Sequence, residues 1–306
     1  MDWRNEISKA AARLEGHIVR TPVLMLDGFG LGYPIELKLE QMQYTGSFKA
    51  RGAFNTLLSS DVPEAGLVAA SGGNHGAAVA YAAQELGHKA KIFVPEFAGP
   101  AKIGLIKRSG ADLSVVKGEY ANAFQDAQAY EAKTGAMQVH AFDAVSTVAG
   151  QGTLTREWEE QGLQADTILI AVGGGGLIAG AMAWLGNTRK ILAVEPEKAP
   201  TLHTALAHGG PQDVDVGGIA ANALGARKVG KICYDLALET GTECLTVTDE
   251  SIKAAQVALW QESRQLVEPA GATALAALMS GAYKPAPKER VAVLICGGNL
   301  SEDPFG

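Results

Sequence analysis

At 306 residues the chain is longer than a single hydrophobic core usually serves, so two lobes of unequal size are expected within one compact unit. With 47% hydrophobic residues, 19% charged residues and 37 glycines it reads as a soluble α/β enzyme with many short strand-to-helix turns, which excludes a fibrous or disordered chain. A net charge of -7 without any Lys/Arg run excludes a nucleic-acid partner, and solubility accounts for the charge.

In chain order, Trp3, Ile7, Ala10, Ala11 and Leu14 fall on one face of a predicted helix, and the start "MDWRNEISKAAARLEG" has acidic residues and no apolar run, unlike a secretory signal or transit peptide. "PIELKLE" (34–40) then alternates as a strand. After Lys49 the pattern becomes strand–helix repeats. "GLVAAS" precedes a helix from Asn74 to Leu86 that Gly87 ends, "AKIFVP" precedes a helix over 100–109, and "ADLSVV" precedes one from Glu119 to Thr134. "AMQVHA" (136–141) is a further strand. From Thr147 a helix runs to Glu160, followed by the strand "TILIAV", a helix from Gly176 and the strand "KILAVEP". An irregular span over 208–230 leads to helices over 249–264 and 270–280 and the strand "RVAVLIC". Such alternation predicts mostly parallel sheets with helices on both faces, and a small domain of residues 48–145 inserted in a larger one built from 1–47 and 146–306.

One segment, "TILIAVGGGGLIAGAMAWLG" (167–186), is uncharged over about the length that spans a bilayer. Four glycines in its middle, each costing a helix about 1 kcal/mol relative to alanine, make it a buried strand, a turn and a buried helix, so no membrane partner is expected. Cys233, Cys244 and Cys296 are too scattered for a disulfide framework or zinc cluster, and a cytoplasmic location follows as the default.

Three turns carry chemistry. Gly173, Gly174, Gly175 and Gly176 lie between an apolar strand and an apolar helix, where backbone N–H groups face an anion, a phosphate in the most direct case. Gly174, Gly176 and Ala179 also match the dinucleotide pattern G-x-G-x-x-A, with Glu195 about 20 residues on, where that fold keeps its ribose acid. "SGGNHG" (71–76) and "CGGN" (296–299) also follow strands directly, and in open α/β sheets such turns converge on one crevice. In "YTGSFKARGA" (44–53), Thr45, Gly46 and Ser47 are expected to cap a helix, putting Lys49 in its first turn. There the dipole disfavours the ammonium, as imine chemistry requires.

Taken together, "TGSFKARGA", "SGGNHG", "GQGT" (150–153), "GGGGLIAG", "VEPEKA", "VEPAGA" (267–272) and "CGGN" resemble, in order and spacing, the fold-type II pyridoxal-phosphate enzymes of the serine/threonine dehydratase and serine racemase group. The resemblance covers residues 15–300. It implies a fold like that of the tryptophan synthase β chain, with two open, mostly parallel twisted sheets flanked by helices. It also implies pyridoxal 5'-phosphate (PLP) as cofactor, held covalently by Lys49, with Phe48 beside the ring, Asn74 on the phenolic oxygen and Gly173 to Gly176 around the phosphate. Cys296 would face the pyridine nitrogen, a weak neutral partner that suits elimination better than transamination. Ser71, Gly72, Asn74 and His75 belong to the loop that would hold the carboxylate of a small amino-acid substrate. The activity implied is dehydration and deamination of a β-hydroxy amino acid such as L-serine or L-threonine to a 2-oxo acid and ammonia. The alternative within the group is a serine or 3-hydroxyaspartate racemase or a 3-hydroxyaspartate dehydratase. A homodimer is the expected assembly.

The sequence departs from the group in three places. Gly72 stands where its racemases carry a serine base. Its divalent-cation site, for Mg2+ or Ca2+, is matched by Glu195 and the Ala199 carbonyl, but Thr201 stands where an aspartate is usual. Ala220 to Asn222 replace its "ADG", leaving substrate preference open. Ala50 and His75 point away from the cysteine synthases, and feedback control is not expected after "CGGNLSEDPFG". Two other classes remain as competitors: a nicotinamide oxidoreductase, suggested only by the glycine run, and a non-catalytic binding protein on the same sheet.

Overall fold

The apolar runs assemble into two sheets in a computed structural model that describes residues 1–96, 98–118 and 120–300. The larger sheet has six strands in the spatial order β1 (Val23–Asp27), β2 (Pro34–Leu39), β10 (Val291–Ile295), β7 (Thr167–Ala171), β8 (Lys190–Pro196) and β9 (Glu243–Val247). Only the β1–β2 pair is antiparallel. The smaller sheet, in the order β5 (Asp112–Val116), β4 (Ala90–Pro95), β3 (Leu67–Ala70) and β6 (Met137–Gln138), is wholly parallel. Every residue of β7, β10 and β3 is buried, which is why these strands read as continuous apolar runs rather than alternating ones.

Helix α1 (Trp3–Leu14) starts where the Asp2 carboxylate accepts from the Asn5 N–H and buries Ile7, Ala10 and Leu14. Helix α6 (Val145–Glu160) is the spine that brings the two halves of the site together. Its Gly150 lets it touch α2 (Lys49–Leu58): a Cβ there would lie 2.6 Å from the Arg51 carbonyl oxygen. Two residues on, Gly152 meets Gly180 of α7 (Gly176–Leu185), where an added Cβ would lie 2.5 Å from the Gly152 nitrogen. The "GQGT" glycines therefore let one helix contact both the helix that starts with Lys49 and the helix that starts at the glycine run.

A buried ionic cluster fixes the α2–α6 contact. Arg51, fully buried, donates from Nε and Nη2 to the Glu40 carboxylate at 2.9 and 2.7 Å and from Nη2 to Glu157 Oε2 at 2.9 Å. Lys38, also fully buried, reaches Glu157 Oε1 at 2.5 Å, the Thr21 carbonyl at 2.9 Å and Gln161 Oε1 at 2.7 Å. Two cations and two carboxylates neutralise one another, which makes their burial tolerable.

Most expected elements are present, including the strand–turn–helix over 167–186, and no described helix is long and apolar enough to cross a membrane. The differences lie in less periodic stretches. Strand β1, helices α8 (Thr201–His208) and α10 (Lys231–Thr240), the one-turn helix over 221–224 and strand β9 have no counterpart among the expected elements. β6 is only two residues long because the chain after Val139 leaves the sheet towards Lys49. The remaining helices are α3 (Asn74–Glu85), α4 (Pro100–Arg108), α5 (Tyr120–Thr134), α9 (Ala221–Leu224), α11 (Asp249–Ser263) and α12 (Pro269–Met279); the expected first residue of α5, Glu119, lies outside the described residues.

Candidate active site

Lys49 is the first residue of α2. Residues 44–46 form one 3-10 turn in which Thr45 (φ 59°) and Gly46 (φ 73°) are left-handed. Ser47 is extended and bridges Gly297, and the Phe48 N–H donates to the Cys296 carbonyl at 3.2 Å. The small residues thus turn the chain rather than cap the helix. No side chain caps α2, and the Thr45 and Ser47 hydroxyls have no partner among the described residues.

The Lys49 amine donates to the Ala141 carbonyl at 2.7 Å and lies 5.2 Å from the centre of the Phe48 ring. Burial lowers its pKa from 10.5 to about 8, against an opposing contribution from Cys296. A sizeable share of the amine is therefore neutral, and nucleophilic, near physiological pH.

Lys49 lines a cleft with ≈ 460 Å³ of free space, together with Phe48, Asn74, Phe142, Gly173 to Gly176, Leu224, Glu268 and Cys296. The glycine run forms one wall, and each glycine is there for want of room. A Cβ on Gly173 would lie 2.8 Å from Leu224 Cα, on Gly174 2.3 Å from the Phe142 ring, and on Gly176 2.8 Å from Phe142 Cα. Gly175 is left-handed at φ 88° and packs on Cys233. Among the described residues, no backbone acceptor pairs with the N–H groups of Gly174, Gly175, Gly176 or Leu177, which face outward at the start of α7. Unpaired N–H groups at a helix start are the arrangement that suits an anion. Asp143 accepts from the Lys231 and Ile232 N–H groups at 3.0 Å each and so anchors the adjoining Phe142 loop to the start of α10.

On the opposite side, the Cys296 thiol donates to the Ala270 carbonyl at 3.3 Å. Burial first, and then Glu268, push its pKa up, so it is a neutral thiol. Asn74, the first residue of α3, donates from Nδ2 to Glu268 Oε1 and accepts at Oδ1 from Asn299 Nδ2 at 2.9 Å. Glu268 and Asn299 lie within "VEPAGA" and "CGGN", and the sequence reading assigns neither a part. Their signal is present there: each is a polar residue in a glycine motif at a strand or helix end.

The structure thus brings together Lys49, Phe48, Asn74, Gly173 to Gly176 and Cys296. It does not place Ser71, Gly72 or His75 in the wall of the same cleft. Ser71 Oγ accepts from the Gly73 N–H at 3.1 Å. The His75 ring points away, with Nε2 2.8 Å from the Val139 carbonyl, and burial, with Lys49 nearby, lowers its pKa to about 3, so it is neutral. A Cβ at Gly72 would lie 2.3 Å from Ala98 Cβ and 2.9 Å from Val94 Cγ1.

Glu195, Ala199 and Thr201 do converge, but as donors and acceptors to one another. Glu195 accepts from the Leu202 and His203 N–H groups at 2.9 Å each and the Cys244 thiol at 3.3 Å, and lies 2.8 Å from the Thr201 hydroxyl, whose single hydrogen is shared with the Gly173 carbonyl. The Ala199 carbonyl accepts from the Thr201 N–H at 3.1 Å. Three protein donors, with the Thr201 hydroxyl packed against them, occupy the acceptor positions of this fully buried carboxylate. The arrangement does not fit a divalent cation, and among the described residues no group of three His, Cys, Asp or Glu is placed to hold a metal. Nor is Glu195 exposed to a ribose, as a dinucleotide fold would need. Instead Thr201, 2.6 Å from the Gly173 carbonyl, ties α8 to the first residue of the glycine run.

A partly neutral lysine, a neutral thiol, and a glycine cradle with outward N–H groups at a helix start together fit PLP. Consistent with that, residues 14–297 match the family model described as pyridoxal-phosphate dependent enzyme. The chain is 36% identical to phenylserine dehydratase from Ralstonia pickettii, with 98% of this chain and 94% of that protein covered. It is 34% identical to L-threonine ammonia-lyase from Geobacter sulfurreducens, with 96% and 75% covered. The structure of maize serine racemase superimposes with a TM-score of 0.92 at 30% identity, covering 97% of this chain and 93% of that one. The chain therefore belongs to the fold-type II pyridoxal-phosphate dependent enzymes.

Proposed function

We propose that the protein is a PLP-dependent ammonia-lyase that removes water and then ammonia from a small β-hydroxy amino acid, such as L-serine or L-threonine, to give a 2-oxo acid. The observation that carries this is the buried Lys49 amine facing the glycine cradle across one cleft. Gly173 to Gly176 and the start of α7 would hold the cofactor phosphate, Phe48 would flank its ring, Asn74 would bond its phenolic oxygen, and the Cys296 thiol would meet the pyridine nitrogen. When bound there, the cofactor supplies a sink for the electron pair left at Cα when a proton is removed. Residues 48–145 would act as the small domain, closing on a large one made of 1–47 and 146–306.

The chain's own residues account for the remaining steps. The Ser71 hydroxyl and the first-turn N–H groups of α3, at Asn74, His75 and Gly76, would hold the substrate carboxylate. His75 would contribute its backbone rather than its ring, which is turned to Val139. Lys49, displaced by the substrate amine, would take the α-proton; its lowered pKa matches that task near neutral pH. Loss of the β-hydroxyl with a proton, followed by hydrolysis of the released enamine, yields the oxo acid and ammonia.

Elimination is favoured over racemisation because Gly72 offers no side chain at the position where the resembled racemases keep a second base. The relatives include a phenylserine dehydratase and a threonine ammonia-lyase as well as a serine racemase, so the choice rests on Gly72. Incubation of the holoenzyme with L-serine, L-threonine, phenylserine and 3-hydroxyaspartate, with 2-oxo acid and chirality both measured, tests the assignment. Oxo acid from at least one substrate is expected. Inverted amino acid without oxo acid would overturn the choice.

A further inference from the structure

A three-link relay joins the loops on either side of the cleft, and the role inferred for it rests on the PLP reading of that cleft. Asn299 Nδ2 donates to the Thr45 carbonyl at 2.6 Å and to Asn74 Oδ1 at 2.9 Å, and Asn74 Nδ2 donates to Glu268 Oε1. Both ends of the relay can only accept. The Thr45 carbonyl obliges Asn299 to turn its NH2 towards it, and the second hydrogen of that NH2 then obliges Asn74 to present its oxygen. Asn74 Nδ2 is left facing the Glu268 carboxylate. An amide orientation that is ordinarily ambiguous is thus dictated from both ends.

The glycines of two motifs leave the space for this relay. A Cβ on Gly46 would lie 2.5 Å from Asn299 Oδ1, and one on Gly297 would lie 2.3 Å from Glu268 Oε1 and 3.3 Å from Asn74 Nδ2. The Gly298 N–H also donates to the Gly46 carbonyl at 2.9 Å, fastening the "CGGN" turn to the turn before Lys49. Of the two hydrogens on Asn74 Nδ2, one goes to Glu268, and Asn74 shares the cleft wall with Lys49.

We propose that Asn299 and Glu268 are positioning residues that force Asn74 to present an N–H donor, and not its carbonyl, to an acceptor oxygen on the cofactor bound beside Lys49. With Asn299 lost, the amide is held from the Glu268 side alone, and the share of molecules in which its oxygen faces the cofactor oxygen rises.

A double-mutant cycle tests this on the holoenzyme. Wild type, Asn74→Ala, Asn299→Ala and the double variant are reconstituted with PLP, and the visible band, its pH titration and the PLP dissociation constant are measured. Asn299→Ala is expected to shift the band in the same direction as Asn74→Ala and to weaken PLP about five- to thirtyfold. In the Asn74→Ala background it should add nothing, because its effect passes through Asn74. Additive effects would overturn the proposal. The isosteric Asn299→Asp sets an acceptor against the Thr45 carbonyl; it should reproduce the Asn74→Ala spectrum with a melting temperature near wild type, and it carries the same cycle should Asn299→Ala not fold. A wild-type spectrum in Asn299→Asp would equally overturn the relay. Wild-type protein without any visible band would refute the cofactor site itself, whereas a wild-type band with unaltered variants refutes only the relay.

Discussion

Replacing Arg51 with methionine keeps most of the side-chain volume and removes one charge from the buried cluster beneath Lys49. Glu40, with no exposed surface, loses two hydrogen bonds of 2.9 and 2.7 Å and keeps only the Thr21 hydroxyl and the more distant Lys38 charge. Breaking a buried pair from one side typically costs about 3–5 kcal/mol. With an unfolding entropy of about 2.1 cal/mol/K per residue, 306 residues give roughly 0.6 kcal/mol/K, so the midpoint should fall by about 5–8 °C. Thermal melts followed by circular dichroism measure it. Burial alone would raise the Glu40 pKa, but the Arg51 charge and hydrogen bonds hold it below its ordinary 4.5. The pair's stabilisation is therefore complete above about that pH and is lost as pH falls through the depressed value, so the gap between wild type and variant should close in acid. Arg51→Met/Glu40→Met should cost less than the sum of its parts. An Arg51→Met melt within one degree or so of wild type, or a gap that widens in acid, would refute this account of α2.

The site itself gives three more expected outcomes. Because burial lowers the Lys49 pKa to about 8, the rate at which apoenzyme takes up PLP should rise with pH and level off just above that value; a rate still climbing in proportion to hydroxide well beyond it would contradict the lowered pKa. Gly174→Ala places a Cβ 2.3 Å from the Phe142 ring, and the strain of about 1–3 kcal/mol should appear in reconstitution titrations as weaker PLP binding; an unchanged dissociation constant would show the glycine to be dispensable. Gly72→Ser should not create a racemase, since its side chain would run into Ala98 and Val94; D-amino acid formed as fast as oxo acid would prove otherwise.

The strands and helices of 67–108 and 167–196 are legible in the sequence because fully buried parallel strands are apolar runs and the helices between them are punctuated by glycine. Strand β1 is not, because Met25, 60% exposed, and Val23 two residues before it are as apolar as Leu24 and Leu26, so only Asp27 at its end marks the outer face and the period of two is missing. Helix α10 hides in a span where Gly230, and not a Ser or Thr, sets its start and the Asp143 carboxylate, distant in sequence, supplies the cap. The cleft residues are readable from turn chemistry, which is local. The orientation of the His75 ring and the saturation of Glu195 are not, because both depend on partners from other elements, Val139 in one case and Cys244 in the other. Asn299 and Glu268 stand in plain view in glycine motifs, yet their part emerges only once the fold sets Thr45, Asn74 and Gly297 side by side.

The most direct test of the central claim, that Lys49 is the amine that binds the cofactor, is borohydride reduction of the PLP-loaded protein followed by peptide mass analysis. The visible band should vanish, the cofactor mass should sit on the peptide containing Lys49, and Lys49→Ala should show neither band nor label. A protein that stays colourless with PLP, or a label on a different lysine, would contradict it.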